Sequence, residues 1–190
     1  MLPNTADQTR WSGRVSQIGA WYSISGIGVA TFLAGQFSGN SRARETGWLS
    51  LEALGHAQVA TFVFKEITNR ERPLDYSQRR GFWGGGNAFP SGHAASSFAV
   101  ATVFAYEYRE HLIVPIAAYS LAGLVSASRV GAQRHWVSDV VTGGTLGFLM
   151  GRYTYKRNHH ELGNSNTSAF TRLIPELGAG RMGPTLSWGF

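Results

Sequence analysis

Hydrophobic and polar positions along this chain fall into long blocks rather than short alternations. Five apolar-rich stretches stand out: Ile18 to Phe37, Trp48 to Phe64, His93 to Tyr108, Leu112 to Ser128 and Trp136 to Tyr153. Each is too long for an ordinary strand, and small residues recur within them at helical spacing. The pattern predicts an all-α chain, a helical bundle of about five core helices. Pro115 falls in the first turn of the fourth helix, where proline is tolerated. Gly143, Gly147 and Gly151 are four apart, so they share one face and admit a neighbouring helix closely. The first block is about long enough to cross a bilayer but is diluted by Ser, Gly and Gln, and the second carries Glu52, His56 and Gln58.

These blocks divide the chain into a polar N-terminal segment (Met1 to Arg14), a helical domain (15–157) and a Gly/Ser/Asn-rich C-terminal tail (158–190), within which Pro184 to Phe190 is patterned as a short strand. Two connections stand out. Thr68 to Phe89 is long, basic and Gly-rich, and Arg129 to His135 is short and basic. In an up-and-down bundle, the loops after helices two and four lie at one end, together with the start of helix three. Three polar clusters therefore converge on one pole.

Composition sharpens the reading. At 190 residues the chain holds one domain with a real core. Its 17 Lys and Arg against 11 Asp and Glu give a net charge of +6, which favours anionic partners. The absence of cysteine excludes disulfides, thiol catalysis and cysteine-ligated metals. Met1 to Arg14 lacks the apolar core of a secretory signal. A mean hydropathy of -0.12 is low for a polytopic membrane protein, although the polar loops and tail pull it down.

The three clusters carry candidate chemistry. The first spans Lys65 to Pro73. Lys65 and Arg72 are two helical turns apart and face one point if the helix continues, and a lysine point charge with an arginine fork suits a tetrahedral oxyanion. The second is Pro90-Ser91-Gly92-His93, after the run Gly84-Gly85-Gly86. It starts a helix whose outward N–H groups attract anions and puts His93 in the first turn. The third runs from Ser128-Arg129 to His135 and Asp139. A helical backbone places His135 and Asp139 on one face, where the carboxylate accepts one ring proton and leaves the other nitrogen nucleophilic.

Lys-x6-Arg-Pro, Pro-Ser-Gly-His and Ser-Arg-x5-His-x3-Asp, in that order, resemble the tripartite signature of the type 2 phosphatidic acid phosphatase (PAP2) and vanadium haloperoxidase superfamily. The resemblance extends from about Ser16 to Tyr155. It implies that Lys65, Arg72 and Arg129 hold the phosphate oxygens, with Ser91 and the Gly92 N–H adding hydrogen bonds. It also implies that His135 attacks phosphorus, oriented by Asp139, and that His93 protonates the leaving oxygen and then activates water. Arg70, Arg79, Arg80 and Arg134 match no signature position and read as field or headgroup contacts, or as solvated surface.

The function implied is a phosphatase for phosphate monoesters or pyrophosphates, lipid-linked (phosphatidate or isoprenyl-pyrophosphate type), working through a phosphohistidine. No carboxylate cluster accompanies the motifs, so the expected mechanism uses no metal and no cofactor, and vanadate is expected to bind as a phosphate mimic. The expected partner is a phosphorylated small molecule or lipid at a membrane, not nucleic acid, and oligomeric state stays open. The expected location is a bacterial-type cell membrane with an extracytoplasmic site, or the periplasm if the chain is soluble. Membrane members of the family usually have six spanning helices against the five predicted here. A vanadium-dependent haloperoxidase, a soluble non-specific acid phosphatase and a non-catalytic headgroup binder or transporter are the alternatives.

Overall fold

The computed structural model describes residues 21–73 and 81–163. The expected N-terminal segment, Arg79 and Arg80, the tail beyond residue 163 and the expected strand at Pro184 to Phe190 lie outside the described residues. Five helices follow in order: α1 (Trp21–Ser38), α2 (Ser41–Thr68), α3 (Gly92–Glu107), α4 (Ile113–Gly131) and α5 (Val137–Gly163). No strand occurs among the described residues. The chain divides into two compact units, Met1–Tyr155 and Lys156–Phe190.

The helices match the predicted blocks, with three informative differences. α5 runs to Gly163, past Tyr153 and through the first residues of the expected tail, so the helical domain does not end at 157. α2 begins seven residues before Trp48 because Asn40 caps it, the side-chain oxygen accepting from the Ala43 N–H at 3.1 Å. Its polar residues do not interrupt it, because they bond to other helices. His56 Nδ1 lies 2.9 Å from the Thr154 hydroxyl, and the Gln58 amide donates to the Gly92 carbonyl at 3.3 Å and to the Ser96 hydroxyl. At the other end α2 stops at Thr68. Asn69 takes the left-handed conformation (φ 41°), and its N–H bonds to the Lys65 carbonyl at 2.9 Å. Lys65 and Arg72 therefore do not share a helical face. Arg72 reaches the pole from the loop.

α3 is the central element, packing against α1, α2 and α4. Leu49, Ala53 and Ala57 of α2 meet Ala95, Ala99 and Val103 of α3 in the core, with Met150 and Tyr155 packed against them. α5 reaches α3 through its glycines. A Cβ at Gly143, Gly147 or Gly151 would collide with the carbonyl oxygens of Ser91, Ala95 and Ala99 respectively. Small residues thus fill the interior and large apolar ones face outward, among them Ile27, Phe37, Phe62, Ile116, Leu121 and Leu149. One described helix, α4, is long and apolar enough to cross a membrane.

Gly147→Ala should destabilise the bundle by about 1–3 kcal/mol, as overpacking does. Gly55→Ala, whose added methyl meets open space, should be neutral or stabilising by up to about 1 kcal/mol. Thermal unfolding midpoints of the two variants check this.

Candidate active site

α2 and α4 end, and α3 and α5 begin, at the same pole, and every sequence-predicted site residue is found there. The two described arms of the α2–α3 loop bond to each other and shape it. The Trp83 N–H reaches the Thr68 carbonyl (2.8 Å), Glu71 N–H the Gly81 carbonyl (3.0 Å), Gly86 N–H the Asn69 carbonyl (3.0 Å), and Ala88 N–H the Arg70 carbonyl (2.8 Å). Gly86 is required there, since a Cβ would strike the Arg70 backbone. The loop surrounds a polar cavity of about 510 Å³ lined by Asn69, Glu71, Arg72, Asn87 and glycines 84–86.

Three cations come together from three elements. Lys65, in the last turn of α2, donates to the Asn87 carbonyl at 2.8 Å. Arg72 comes from the loop. Arg129, in the last turn of α4, is only 9% exposed. The Nε atoms of Arg72 and Arg129 are buried without a hydrogen-bond partner among the described residues. Burial lowers the Lys65 pKa and the neighbouring Arg72 charge lowers it further, against an opposing pull from Asp139. A tetrahedral dianion would relieve this crowding, each charge-assisted hydrogen bond being worth about 1.5–3 kcal/mol.

Ser91 caps α3, its hydroxyl oxygen accepting from the Ala94 N–H at 3.5 Å, and its own N–H bonds to the Asp139 carbonyl at 2.9 Å. Gly92 and His93 open the helix, where first-turn N–H groups have no intrahelical acceptor. His93 is half-buried. Its pKa is lowered to about 4, first by burial and then by Arg129, His135, Lys65 and Arg72. His93 is therefore neutral at pH 7.

His135 lies just before α5 and is 3% exposed. Its Nδ1 is 2.7 Å from the Ala88 carbonyl oxygen. A carbonyl only accepts, so Nδ1 carries the proton and Nε2 keeps its lone pair. Asp139 Oδ2 lies beside the same nitrogen at 3.7 Å, beyond hydrogen-bond length. The Ala88 carbonyl, which the sequence did not point to, is the acceptor within hydrogen-bond length of that proton, and the expected carboxylate stands behind it. Both carboxylate oxygens also have other partners. Oδ1 pairs with Arg70 at 2.5 Å, and Oδ2 accepts the Trp136 N–H at 2.8 Å. Burial lowers the His135 pKa, with Asp139 and the Ala88 carbonyl opposing and the nearby Arg129 and Lys65 assisting.

Two participants escaped the sequence reading. Arg70, expected only as a field or headgroup contact or as solvated surface, instead holds Asp139. The Ala88 carbonyl, which orients His135, belongs to the backbone and carries no residue-type signal. Arg134 stays beside Arg129, its N–H on the Arg129 carbonyl at 3.1 Å. Among the described residues no group of three or more His, Asp or Glu side chains is placed to hold a metal ion.

A family model described as PAP2 superfamily matches residues 46–161. Phosphatidylglycerophosphatase B of Bacillus subtilis is 33% identical over 146 residues, 67% of this chain and 68% of that protein. Lipid A 1-phosphatase of Porphyromonas gingivalis is 41% identical over 70 residues, which are 36% of this chain but only 16% of that protein. Among solved structures, Aquifex aeolicus LpxE superposes with a TM-score of 0.65 at 21% identity, covering 80% of this chain and 88% of that one. The transmembrane PAP2-type phosphatidylglycerolphosphate phosphatase from Bacillus subtilis gives 0.67 at 23% identity, covering 84% and 80%. The matched region holds all three clusters of the polar pole, and the chain belongs to the PAP2 superfamily.

Proposed function

We propose that this protein is a membrane-bound phosphatase that hydrolyses a lipid-linked phosphate monoester or pyrophosphate through a phosphohistidine, without a metal or cofactor. The observation that carries the reading is the His135 tautomer. The Ala88 carbonyl fixes the proton on Nδ1, so Nε2 is an unprotonated nucleophile among Lys65, Arg72 and Arg129. Both curated relatives are named phosphatases, which favours hydrolysis over the haloperoxidase alternative. The lipid is supported by their names and by the belt of outward-facing Ile, Leu and Phe, which matches a bilayer better than water. The family resemblance implies that the active pole faces the extracytoplasmic side.

Chemically, Lys65, Arg72, Arg129 and the α3 N-terminus hold the non-bridging oxygens and neutralise their charge. Nε2 of His135 forms the N–P bond as the P–O bond to the leaving group breaks, and His93 gives its proton to the departing oxygen. His93 then takes a proton from water as that water attacks phosphorus, which frees His135 and releases orthophosphate. A neutral His93 must first gain its proton. The bound phosphate supplies the negative charge that draws one on.

His135→Ala should lose at least about 10³-fold in kcat on both an aryl phosphate and phosphatidate, and chelators should leave the wild type unchanged. Full activity in the variant, or complete loss on chelation, contradicts the mechanism. Vanadate should inhibit competitively as a mimic of the trigonal-bipyramidal state. Since the His93 pKa is lowered to about 4 and an anion beside it would raise it, phosphate binding at about pH 5–6 should take up protons. Buffer-dependent calorimetric enthalpies would show the uptake, and His93→Ala should abolish most of it. The same variant should impair substrates with poor leaving groups by about 10²–10⁴-fold and aryl phosphates far less.

A further inference from the structure

The least expected contact at the pole is that of Arg70. Its Nη1 lies 2.5 Å from Asp139 Oδ1 and 2.7 Å from the Ser138 hydroxyl, against a carboxylate that is fully buried. The guanidinium carbon sits 4.6 Å from the Phe82 ring centre and 5.5 Å from that of Trp136. The indole N–H of Trp136 in turn bonds to the Glu71 carbonyl at 3.0 Å. The Arg70 backbone also takes part. Its carbonyl accepts the Ala88 N–H at 2.8 Å, and the Ala88 carbonyl is the acceptor for His135 Nδ1. One residue thus secures both groups that flank the Nδ1 proton, Asp139 by its side chain and Ala88 by its backbone.

We propose that Arg70 is a positioning residue for the nucleophile: it holds the Asp139 carboxylate 3.7 Å from His135 Nδ1 and leaves the ring proton to the Ala88 carbonyl. The inference rests on the reading of His135 as the nucleophile. Its physical content is charge control. A buried carboxylate bonded to imidazole favours imidazolium, which has no lone pair for attack. Pairing Asp139 with a cation weakens that pull and keeps His135 neutral. The other charged or titratable groups that act on His135 and its surroundings are Lys65 of α2, His93 of α3, Arg129 of α4 and Arg72 of the loop. These are cations or neutral imidazoles; Glu71 of the loop lines the cavity beside Arg72, and Asp139 is the carboxylate that lies at the His135 ring.

The test titrates His135 directly by nitrogen NMR in full-length wild type, Arg70→Gln and Arg70→Lys, with the kcat/KM profile of each on an aryl phosphate. Arg70→Gln should raise the His135 pKa by about one unit or more, and the acid limb of kcat/KM should move up with it. Arg70→Lys keeps the charge and should hold the pKa near the wild-type value while lowering kcat. In an Asp139→Asn background, Arg70→Gln should no longer shift the limb. An unmoved His135 pKa in Arg70→Gln, with activity lost equally at all pH values, overturns the proposal and leaves a purely structural role. If Arg70→Gln does not fold, a shifted titration in Arg70→Lys overturns it and an unshifted one with reduced kcat supports it. If the NMR shift appears without a matching shift in kcat/KM, the positioning stands and His135 as nucleophile fails.

Discussion

The close approach of α3 and α5 at their shared end is the constraint on which the rest of this structure depends. Gly143, Gly147 and Gly151 let the α5 backbone rest on the carbonyls of α3. At the top of that seam the Ser91 N–H bonds to the Asp139 carbonyl. These contacts bring the start of α3, with His93, beside the start of α5, with His135. His93 and His135 come close to each other because no side chain separates the two helix starts.

The electrostatics follow from that closeness. Lys65, Arg72 and Arg129 are held together by an apolar scaffold. Burial and mutual repulsion lower the pKa of Lys65 and hold His93 neutral. A bound dianion would offset that repulsion. Asp139 is the opposing charge at Lys65 and His135, while its oxygens are bonded to Arg70 and the Trp136 N–H.

The arrangement also separates two roles that often fall to a single carboxylate. The proton on Nδ1 is held by a backbone carbonyl, whose position is set by the loop ladder between Arg70 and Ala88. The charge beside it is set by the Arg70–Asp139 pair. Orientation and basicity of His135 are thereby governed through different bonds, although both run through the loop that follows α2.

Sequence alone determined the five helices, because long blocks with small residues at helical spacing admit little else. It also placed Lys65, Arg72, Ser91, Gly92, His93, Arg129, His135 and Asp139 at one pole, because chain order in an up-and-down bundle fixes which ends coincide. The glycine face of α5 was legible for the same reason: spacing of four is local. Only the tertiary structure decided the wiring. Asn69 ends α2 before Arg72, so the two cations meet through a loop rather than along a helix. Whether Asp139 bonds His135 or Arg70 depends on distances of about an ångström between segments 69 residues apart. The acceptor that fixes the histidine tautomer is a peptide carbonyl, a group that every residue carries and that no residue type reveals.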